Sequence, residues 1–486
     1  MDDTKLIFER SVAGRVGITL PDSSAPNLRL RDNIPEKLLR TTAAELPEVS
    51  EPQVVRHYVN LSVKNHHIDR DFYPLGSCTM KYNPKINDAL AALPGFSSIH
   101  PLQDPEVSQG ALHIMYELSQ LLQEITGMTD CTLQPSAGSQ GEFVGLLIMK
   151  KYHEQNGDNR KFIIIPETAH GTNPASVVIS GYQPLEVKSD KRGRVDMADL
   201  KSKVNENVAG MMLTQPNTLG LFEDCIEEIS SLIHAAGGLM YMDGANLNAL
   251  VGLCRSADMG FDITHINLHK TFSTPHGGGG PGSGPIAVVN KLRKFLPFPK
   301  IEKQDDGKFI FNCNYPDSIG QIHSFYGNFS ILVRAYVYIK MLGEEGLTKM
   351  NRNAIINANY LKHQLKNAYH IPFPEGTLHE FVASGIRQKE KGVKVLDIAK
   401  ALLDYGFHAP TIYFPNNVIE AMMIEPTESE TRETLDRFIT SMLEINNTIH
   451  TNPEKVKQAP VKTPVSRLDE TKANRELNLR WQDDVS

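Results

Sequence analysis

The chain has 486 residues, of which 40% are hydrophobic and 22% are charged, a composition typical of globular proteins. Its length suggests about three domains of roughly 150 residues, or a large core with a smaller domain attached. The 50 basic and 57 acidic residues give a net charge of −7, which argues against a broad nucleic-acid-binding face.

The sequence also argues against a membrane or secreted protein. The apolar stretch 143–149 is far shorter than the roughly 20 residues of a membrane-spanning helix. The N-terminal sequence has two early acids and no apolar segment typical of a secretory signal. The five cysteines form no CxxC pair, which argues against a disulfide framework or a zinc knuckle. We therefore expect a cytoplasmic protein with reduced cysteines.

Residues 1–105 are rich in proline and turn signals and show weak hydrophobic periodicity. Long segments of this kind in compact proteins are usually functional. We interpret 1–105 as an arm that wraps over another part of the protein.

Residues 106–295 alternate helical patterns with short apolar runs. Apolar residues at steps of three and four predict helices at 111–125, 141–154, 197–208 and 226–236. The apolar runs predict strands at 162–165, 210–213, 239–242, 263–268 and 286–289. Such near-continuous apolar strands are typical of a parallel sheet that is buried on both faces. The segment is therefore predicted to be a large α/β domain.

Residues 296–452 predict a smaller α+β domain. Helices are expected at 332–341, 351–365 and 431–445, and short strands at 382–384, 412–414 and 422–424. Residues 453–486 are polar and contain several prolines, so we expect an extended tail.

Lys270 is the first candidate for chemistry. It follows an apolar strand and precedes a glycine-rich loop. In open α/β sheets, ligands bind beyond the carboxyl ends of the strands. A lysine buried there has a depressed pKa, and its neutral amine can form a Schiff base with an aldehyde. The alternative is an exposed loop lysine.

Asp243 ends another apolar run, 27 residues earlier. A carboxylate beside a pyridine nitrogen keeps that nitrogen protonated, and a protonated pyridine is the electron sink of pyridoxal 5'-phosphate (PLP). Alone, Asp243 would be interpreted as a turn residue or a helix cap. An aspartate and a lysine at neighbouring strand ends together indicate PLP chemistry.

Two further segments fit this interpretation. Residues 134–142 place small residues before a helix, whose N-terminal N–H groups can hold a phosphate. The alternative there is a helix N-cap formed by Ser136 or Ser139. His170, after the strand at 162–165, can stack on a cofactor ring and move protons, or can be an ordinary polar residue at a strand end.

Two other patterns are rejected. Gly277, Gly279 and Gly282 match the spacing of a dinucleotide-binding loop, but a strand-like run follows instead of the required helix. His265 and His269 are four residues apart, as in zinc proteases, but the glutamate of that motif is missing. We expect no metal site.

With these pieces in chain order, the sequence resembles fold-type I PLP enzymes, and more specifically the glycine cleavage system P-protein family. The resemblance rests on residues 72–84, 134–142, 170–175, 243–246, 267–282, 326–328 and 424–428. It extends from about Ile7 to Trp481. It implies an aminotransferase-like α/β fold with a mainly parallel seven-stranded sheet and a smaller C-terminal α+β domain.

The resemblance also implies site residues. Lys270 would carry the cofactor, Asp243 would pair with its ring nitrogen and His170 would stack on the ring. The remaining implied cofactor-binding residues are Ala137, Gly138 and Ser139 for the phosphate, His269 and Ala245 in the pocket, and Asn217 at the ring hydroxyl.

The implied activity is PLP-dependent decarboxylation of glycine, with transfer of the aminomethyl group to the lipoyl arm of a carrier H-protein. The chain resembles the lysine-bearing subunit 2 of two-subunit P-proteins, so a related subunit 1 that lacks the lysine and an α2β2 assembly are expected. Another fold-type I enzyme, such as an aminotransferase or cysteine desulfurase, and a non-catalytic subunit are the alternatives. Thr168, Gln321 and His323 depart from the expected family pattern.

Overall fold

The computed structural model describes residues 5–19, 22, 24, 29–42, 44–100, 103–276 and 282–479. They form two compact units, one spanning Ile68–Pro460 and the other made of the described parts of Met1–His67 and Val461–Ser486. The division of the chain at residues 105, 295 and 452 stays a prediction. The glycine-rich segment 277–281 lies outside the described residues.

A seven-stranded sheet forms the centre of the larger unit. Its strands are β1 (Asp130–Thr132), β2 (Phe162–Pro166), β3 (Gln183–Val187), β4 (Val208–Thr214), β5 (Leu239–Gly244), β6 (Ile263–Ile266) and β7 (Ile286–Val288). Their order is β1-β7-β6-β5-β4-β2-β3. β7 is antiparallel to both of its neighbours, and the other pairs are parallel. The predicted mainly parallel seven-stranded sheet is confirmed.

Among the described residues, five further strands lie outside this sheet. β8 (Lys300–Lys303) pairs with β9 (Phe309–Asn312) in a hairpin. The other three, β10 (Phe381–Ser384), β11 (Thr411–Ile412) and β12 (Ala421–Ile424), form a small antiparallel sheet with β12 in the middle.

The helices of the described residues differ widely in length. They are α1 (Leu30–Asn33), α2 (Glu51–Ser62), α3 (Lys85–Ala91), α4 (Pro94–Ser97), α5 (Gln109–Thr126), α6 (Gly138–Gln155), α7 (Thr172–Ile179), α8 (Met197–Lys203), α9 (Ile226–Ala235), α10 (Leu268–Thr271), α11 (Phe329–Leu365), α12 (Ile386–Lys389), α13 (Val395–Asp404), α14 (Arg432–Thr451), α15 (Pro453–Lys457) and α16 (Glu470–Arg475).

The large sheet is covered on both faces, which explains its apolar strands. In β4, Met211 and Leu213 join one hydrophobic cluster with Ile229 of α9, whereas Met212 joins another with Val144 of α6. Side chains alternate between the two faces of a strand, so every residue of β4 is buried. This double burial fixes the strands, and therefore fixes the positions of the loops at their carboxyl ends.

A third hydrophobic cluster supports the smaller sheet. Phe381 and Ile424 of the paired strands β10 and β12 pack with Phe438 of α14 and with the C-terminal half of α11. α11 is interrupted at Gly343, whose φ of 60° lies in the left-handed region that glycine adopts readily. This interruption explains why the sequence pattern predicts two separate helices, at 332–341 and 351–365.

Several sequence-based boundaries are wrong. The predicted helix 197–208 ends at Lys203, because Asn205 forms a turn with the N–H of Asn207 and Val208 starts β4. The predicted strand 263–268 ends at Ile266, and His269 and Lys270 lie on the one-turn helix α10.

Other elements were missed or misassigned. The sequence pattern missed β1, which has three residues, and β3, which contains proline and is largely exposed. The tail after residue 452 is not simply extended, since α15 and α16 lie within it. Residues 1–105 contain the twelve-residue helix α2, whose N-terminus has a capping box between Ser50 and Gln53.

In the part of the chain that the structure describes, no helix combines the length and apolar character needed to span a bilayer.

Candidate active site

The carboxyl ends of the parallel strands surround a cavity of about 340 Å³. Eight of the nine predicted site residues line it: Ala137, Gly138, Ser139, His170, Asp243, Ala245, His269 and Lys270. They come from the segments that follow β1, β2, β5 and β6. The structure therefore brings together residues from four separate parts of the sequence.

Lys270 reaches the cavity from α10, directly after β6. Its Nζ donates a hydrogen bond to the backbone carbonyl of Ser77 at 2.7 Å. Ser77 also lines the cavity, although it lies 193 residues earlier in the chain. The lysine amine is thus held at the cavity wall by a segment that was expected to belong to the arm and to carry one motif of the family resemblance, but for which no site role was predicted.

Asp243 ends β5 and is only 2% exposed. Its Oδ2 accepts from the Asn173 amide at 3.0 Å, and its Oδ1 accepts from the Ala245 N–H at 2.9 Å. Burial favours the neutral acid, whereas His265 and the hydrogen bond from Asn173 favour the carboxylate. The balance holds the pKa of Asp243 below its ordinary value, so the group is ionised at neutral pH.

His265 supports Asp243 from the neighbouring strand β6. Its Nε2 lies 3.3 Å from Oδ1 of Asp243, and its Nδ1 lies 2.9 Å from the hydroxyl of Tyr241. A carboxylate only accepts hydrogen bonds, so Nε2 of His265 carries hydrogen, while Nδ1 shares a hydrogen bond with the Tyr241 hydroxyl. Asp243 is therefore fixed by partners on both sides.

His170 contacts a buried carboxylate through a hydroxyl group. Its Nδ1 lies 2.9 Å from the Thr172 hydroxyl, which lies 2.8 Å from Oε1 of Glu142. The second oxygen of Glu142 accepts from the Ser176 hydroxyl at 2.9 Å. Burial and the charge of Asp243 raise the pKa of Glu142. Glu142 and Thr172 lie in segments 134–142 and 170–175 of the family resemblance, but no role was predicted for either residue.

The predicted phosphate site lies at the first turn of α6. Ala137 is the N-cap residue, and no described side chain caps this helix. The Ser136 hydroxyl is instead bonded to Oε1 of Gln140, at 2.9 Å. The alternative of a serine N-cap is therefore wrong, and the turn keeps the character of an anion site.

Glycine is required in this turn. A Cβ atom on Gly138 would lie 2.2 Å from Nδ2 of Asn267, in the segment that joins β6 to α10. A Cβ on Gly284 would lie 2.1 Å from the carbonyl oxygen of Ala137. The close approach of these backbones shapes the end of the cavity near α6.

Asn217 is the exception among the predicted site residues, and its assignment to the ring hydroxyl is corrected. Its side-chain amide donates to the Gly193 carbonyl at 2.9 Å and to Glu223 at 2.7 Å. Its carbonyl oxygen accepts from the N–H groups of Leu219 and Leu221. Because these bonds occupy both ends of the side chain, Asn217 shapes a turn while Thr218 lines the cavity.

Two histidines and a cysteine form another part of the site. The rings of His269 and His276 are 4.8 Å apart, and Sγ of Cys78 lies 3.2 Å from Nε2 of His276. Burial lowers the pKa of His269 to about 3 and that of His276 to about 4. Both rings are therefore neutral at physiological pH and add no positive charge beside Lys270.

The sequence analysis missed several residues that line the cavity. They are Ser77, Cys78, Glu142, Thr172, Thr214, Thr218, Asn246, His265 and Asn267. Asn267 could have been identified as a site residue, because it directly follows β6. Ser77 and Cys78 carry no such signal, because only the tertiary fold brings residues 77–78 to this edge of the sheet.

The three departures from the family pattern have ordinary structural roles. Thr168 is buried, and its carbonyl accepts from the Thr218 hydroxyl. Gln321 donates to the carbonyl of His323, and His323 contacts the carbonyl of Phe325. None of the three lines the cavity.

Comparisons with known proteins show the family of this chain. Residues 24–307 match the family model described as the glycine cleavage system P-protein, and residues 350–467 match one described as the glycine dehydrogenase C-terminal domain. A probable glycine dehydrogenase (decarboxylating) subunit 2 of Chloroherpeton thalassium is 57% identical over 479 residues, which cover 98% of this chain and 97% of that protein. The protein of the same name from Listeria innocua is 54% identical, with coverage of 99% and 98%.

Solved structures show the same fold. A glycine decarboxylase (P-protein) of the glycine cleavage system, in inhibitor-bound form, aligns with a TM-score of 0.73 at 21% identity, covering 85% of this chain and 94% of that one. A cysteine desulfurase from Thermococcus onnurineus aligns with a TM-score of 0.61 at 14% identity, covering 78% and 95%. The predicted fold class is confirmed. The family model spans more than half of the chain and the relatives match nearly all of it, so this chain belongs to the glycine cleavage system P-protein family.

Proposed function

We propose that the chain is the lysine-bearing subunit of a two-subunit glycine decarboxylase that uses PLP. The observation that carries this conclusion is the meeting of Lys270 and the ionised Asp243 at one cavity, beside the uncapped first turn of α6. Relatives that are 54–57% identical over nearly the whole chain bear the name glycine dehydrogenase (decarboxylating) subunit 2.

The residues at the cavity fit the chemical groups of PLP. A primary amine suits its aldehyde, a buried carboxylate suits its protonated ring nitrogen, and the first turn of a long helix suits its phosphate. Oγ1 of Thr214 and Oδ1 of Asn267 are buried, line the cavity and have no hydrogen-bond partner among the described residues. A polar ligand would satisfy such atoms.

When bound, PLP supplies a protonated ring that accepts the electron pair released as glycine loses carbon dioxide. The residues of the chain hold the cofactor, keep its ring nitrogen protonated and move protons. Lys270 provides the amine that holds the cofactor, and Asp243 keeps the ring nitrogen protonated because its own proton affinity is low. His170 lines the cavity with Nδ1 already bonded, so Nε2 is the nitrogen available to hold or move a proton.

Residues 137–139 would bind the phosphate, while Ala245 and the neutral His269 would line the pocket. A neutral ring at His269 is useful, because another positive charge beside Lys270 would compete with the protonated ring nitrogen for the negative charge of Asp243. These roles follow the family resemblance, and the cavity geometry supports them.

The identity of the partner proteins and the assembly are also proposals. The relatives' name, subunit 2, supports a second subunit. We propose that this is a related chain without the lysine, in an α2β2 assembly, and that the aminomethyl group passes to the lipoyl arm of an H-protein. The cytoplasmic location stays a prediction. An aminotransferase or a cysteine desulfurase is not favoured, since the desulfurase likeness at 14% identity shows the fold alone.

The test is the exchange of labelled bicarbonate into the carboxyl group of glycine, measured with the companion subunit and a lipoylated carrier present. Lys270→Ala should abolish the exchange while leaving the fold intact. Lys201→Ala is the matched control, because Lys201 is an exposed lysine on α8 paired with Glu228. Exchange retained by Lys270→Ala would refute the proposed function. A transfer of the amino group that depends on a 2-oxo acid would favour an aminotransferase.

A further inference from the structure

A hydroxyl group joins the cavity-lining ring of His170 to a buried carboxylate. The Thr172 hydroxyl is 2.9 Å from Nδ1 of His170 and 2.8 Å from Oε1 of Glu142. His170 is exposed at the cavity, whereas Glu142 is only 4% exposed. The three groups therefore form a continuous path from the cavity into the protein interior.

The direction of these hydrogen bonds follows from what each group can donate. An ionised carboxylate only accepts, so the Thr172 hydroxyl must give its one hydrogen to Glu142. The hydroxyl oxygen can then only accept from His170, which requires hydrogen on Nδ1. With Nδ1 occupied, Nε2 of the neutral ring carries the lone pair.

Protonation of Glu142 reverses the direction of the hydrogen bonds along this path. Its Oε2 accepts from Ser176, so an added proton on Oε1 would be donated to Thr172. The Thr172 hydroxyl would then donate to Nδ1 of His170, and Nε2 would carry the hydrogen. The N–H of Thr172, 3.3 Å from Nδ1, fits this second state, because it can donate only to a bare nitrogen.

We propose that Thr172 and Glu142 are positioning residues that determine which ring nitrogen of His170 carries its hydrogen. The ionised carboxylate selects Nδ1–H and presents Nε2 to the cavity as a base. The protonated carboxyl selects Nε2–H and presents a donor. The hydroxyl of Thr172 transmits the change, which no hydrocarbon side chain at this position can do.

The groups around the path permit both states. Glu142 is faced by Asp243 of β5 and His265 of β6, and Tyr241 lies close behind them. Burial and the negative charge of Asp243 raise the pKa of Glu142, so its proton can be taken up nearer to neutral pH. The ring of His170 also makes a T-shaped contact with the ring of Phe414, which offers no competing polar group.

The consequence for catalysis rests on the proposed function, but the tautomer does not. In the proposed reaction, a ring poised in this way can take a proton at Nε2 and pass the one on Nδ1 toward Glu142. The tautomer is a property of the chain itself and can be measured without cofactor or substrate. Failure of the tautomer proposal is therefore distinguishable from failure of the proposed function.

The test is a nitrogen NMR measurement on the full chain labelled with ¹⁵N in histidine, without cofactor, at about pH 9. At this pH a histidine of ordinary pKa is neutral and carboxyl groups are ionised. The two nitrogen types of a neutral imidazole differ widely in chemical shift, and the signals of His170 are assigned by their loss in His170→Gln. We expect hydrogen on Nδ1 in the wild-type chain. A wild-type signal with hydrogen on Nε2 would overturn the proposal, whether or not the Thr172 variants fold.

A matched pair of variants isolates the hydroxyl. Thr172→Val keeps the shape and removes the hydroxyl, so an Nδ1–H would lose its acceptor and His170 should shift toward Nε2–H, whose bare Nδ1 can accept from the Thr172 N–H. Thr172→Ser restores the hydroxyl and should restore Nδ1–H. If Thr172→Val leaves the tautomer unchanged, Thr172 does not set it. With the companion subunit and carrier present, Thr172→Val should also shift the pH profile of bicarbonate exchange, whereas Thr172→Ser should follow the wild type.

Discussion

Ser77 lies between Lys270 and a buried glutamate that directly precedes β10. Its carbonyl accepts from Nζ of Lys270 at 2.7 Å, and its N–H donates to Oε2 of Glu380 at 2.8 Å. Glu380 is fully buried and also accepts from Asn246 of the cavity wall at 3.3 Å. The position of the lysine amine therefore depends on a carboxylate that does not itself line the cavity.

Glu380→Ala should weaken both the fold and the site. The substitution removes the acceptor for the Ser77 N–H, and a buried donor left unpaired costs about 1–3 kcal/mol. The Asn246 amide loses one of its acceptors but keeps the Pro216 carbonyl at 3.0 Å. The unfolding midpoint should fall, and the bicarbonate exchange rate should fall with it. Glu380→Gln keeps one acceptor oxygen and should lie between the alanine variant and the wild type. Equal stability of the alanine variant and the wild type would mean that Glu380 does not anchor Ser77.

Asp243→Asn should reduce the reaction rate and leave the fold intact. Asparagine keeps only one of the two acceptor oxygens, which can still serve Ala245, and it cannot hold a proton on a pyridine nitrogen. A loss of about 3–4 kcal/mol of transition-state stabilisation corresponds to a roughly 10²- to 10³-fold slower exchange. Asp258→Asn, at an exposed position, is the control. An unchanged rate would make Asp243 a structural residue.

Gly138→Ala should lower PLP affinity by roughly tenfold or more, an expected loss of about 1.4 kcal/mol. The new Cβ would lie 2.2 Å from the side-chain amide of Asn267, so this cavity-lining side chain or the first turn of α6 must move. Gly110→Ala is the matched control, because a Cβ on this helical glycine meets nothing within 4 Å. It should leave PLP binding unchanged and stabilise the chain by up to about 1 kcal/mol. Affinity is measured by titration of PLP absorbance, and equal affinity in the two variants would contradict the proposed phosphate site.

His379→Gln should flatten the pH dependence of stability below pH 6.5. His379 is fully buried, and neither ring nitrogen has a hydrogen-bond partner among the described residues, although Nε2 lies 3.8 Å from Oε1 of Glu380. Burial lowers its pKa to about 3. Between an ordinary pKa near 6.5 and about 3, the unfolded chain binds a proton that the folded chain does not, so stability falls as pH falls.

Within that window, His379 changes the free energy of unfolding by about 1.4 kcal/mol per pH unit. This contribution vanishes above pH 6.5. Comparing the unfolding free energies of the wild type and the glutamine variant at pH 7.5 and pH 5.5 isolates it from the other histidines. An identical difference at both pH values would show that His379 takes up its proton normally in the folded chain.

The sequence predicts those parts of the site that local patterns determine. Asp243 and Lys270 follow apolar runs, and the carboxyl ends of parallel strands share one edge, so their meeting is predictable. The first turn of α6 is predictable from the small residues before a helix. In contrast, Asn217 satisfies both ends of its side chain within local turns, which its position in the sequence does not reveal.

Contacts between distant segments were beyond prediction. Ser77 and Glu380 are 303 residues apart, and neither lies at a carboxyl end of the large sheet. Likewise, Glu142 and Thr172 belong to recognisable motifs, but only their 2.8 Å separation shows that they form one path to His170. The sequence pattern also extended β6 past Ile266, because the apolar run continues to Leu268 while the backbone turns into α10.

The most direct test of the central claim is borohydride reduction of the purified chain in the presence of PLP, followed by mass mapping of the modified peptide. The account predicts a pyridoxyl group on Lys270, with the chain alone or once the companion subunit is added. Lys201 provides the internal control, since an exposed lysine should stay unmodified at the same PLP concentration. A stable adduct on another lysine, or none on Lys270 with the companion subunit present, would contradict the account.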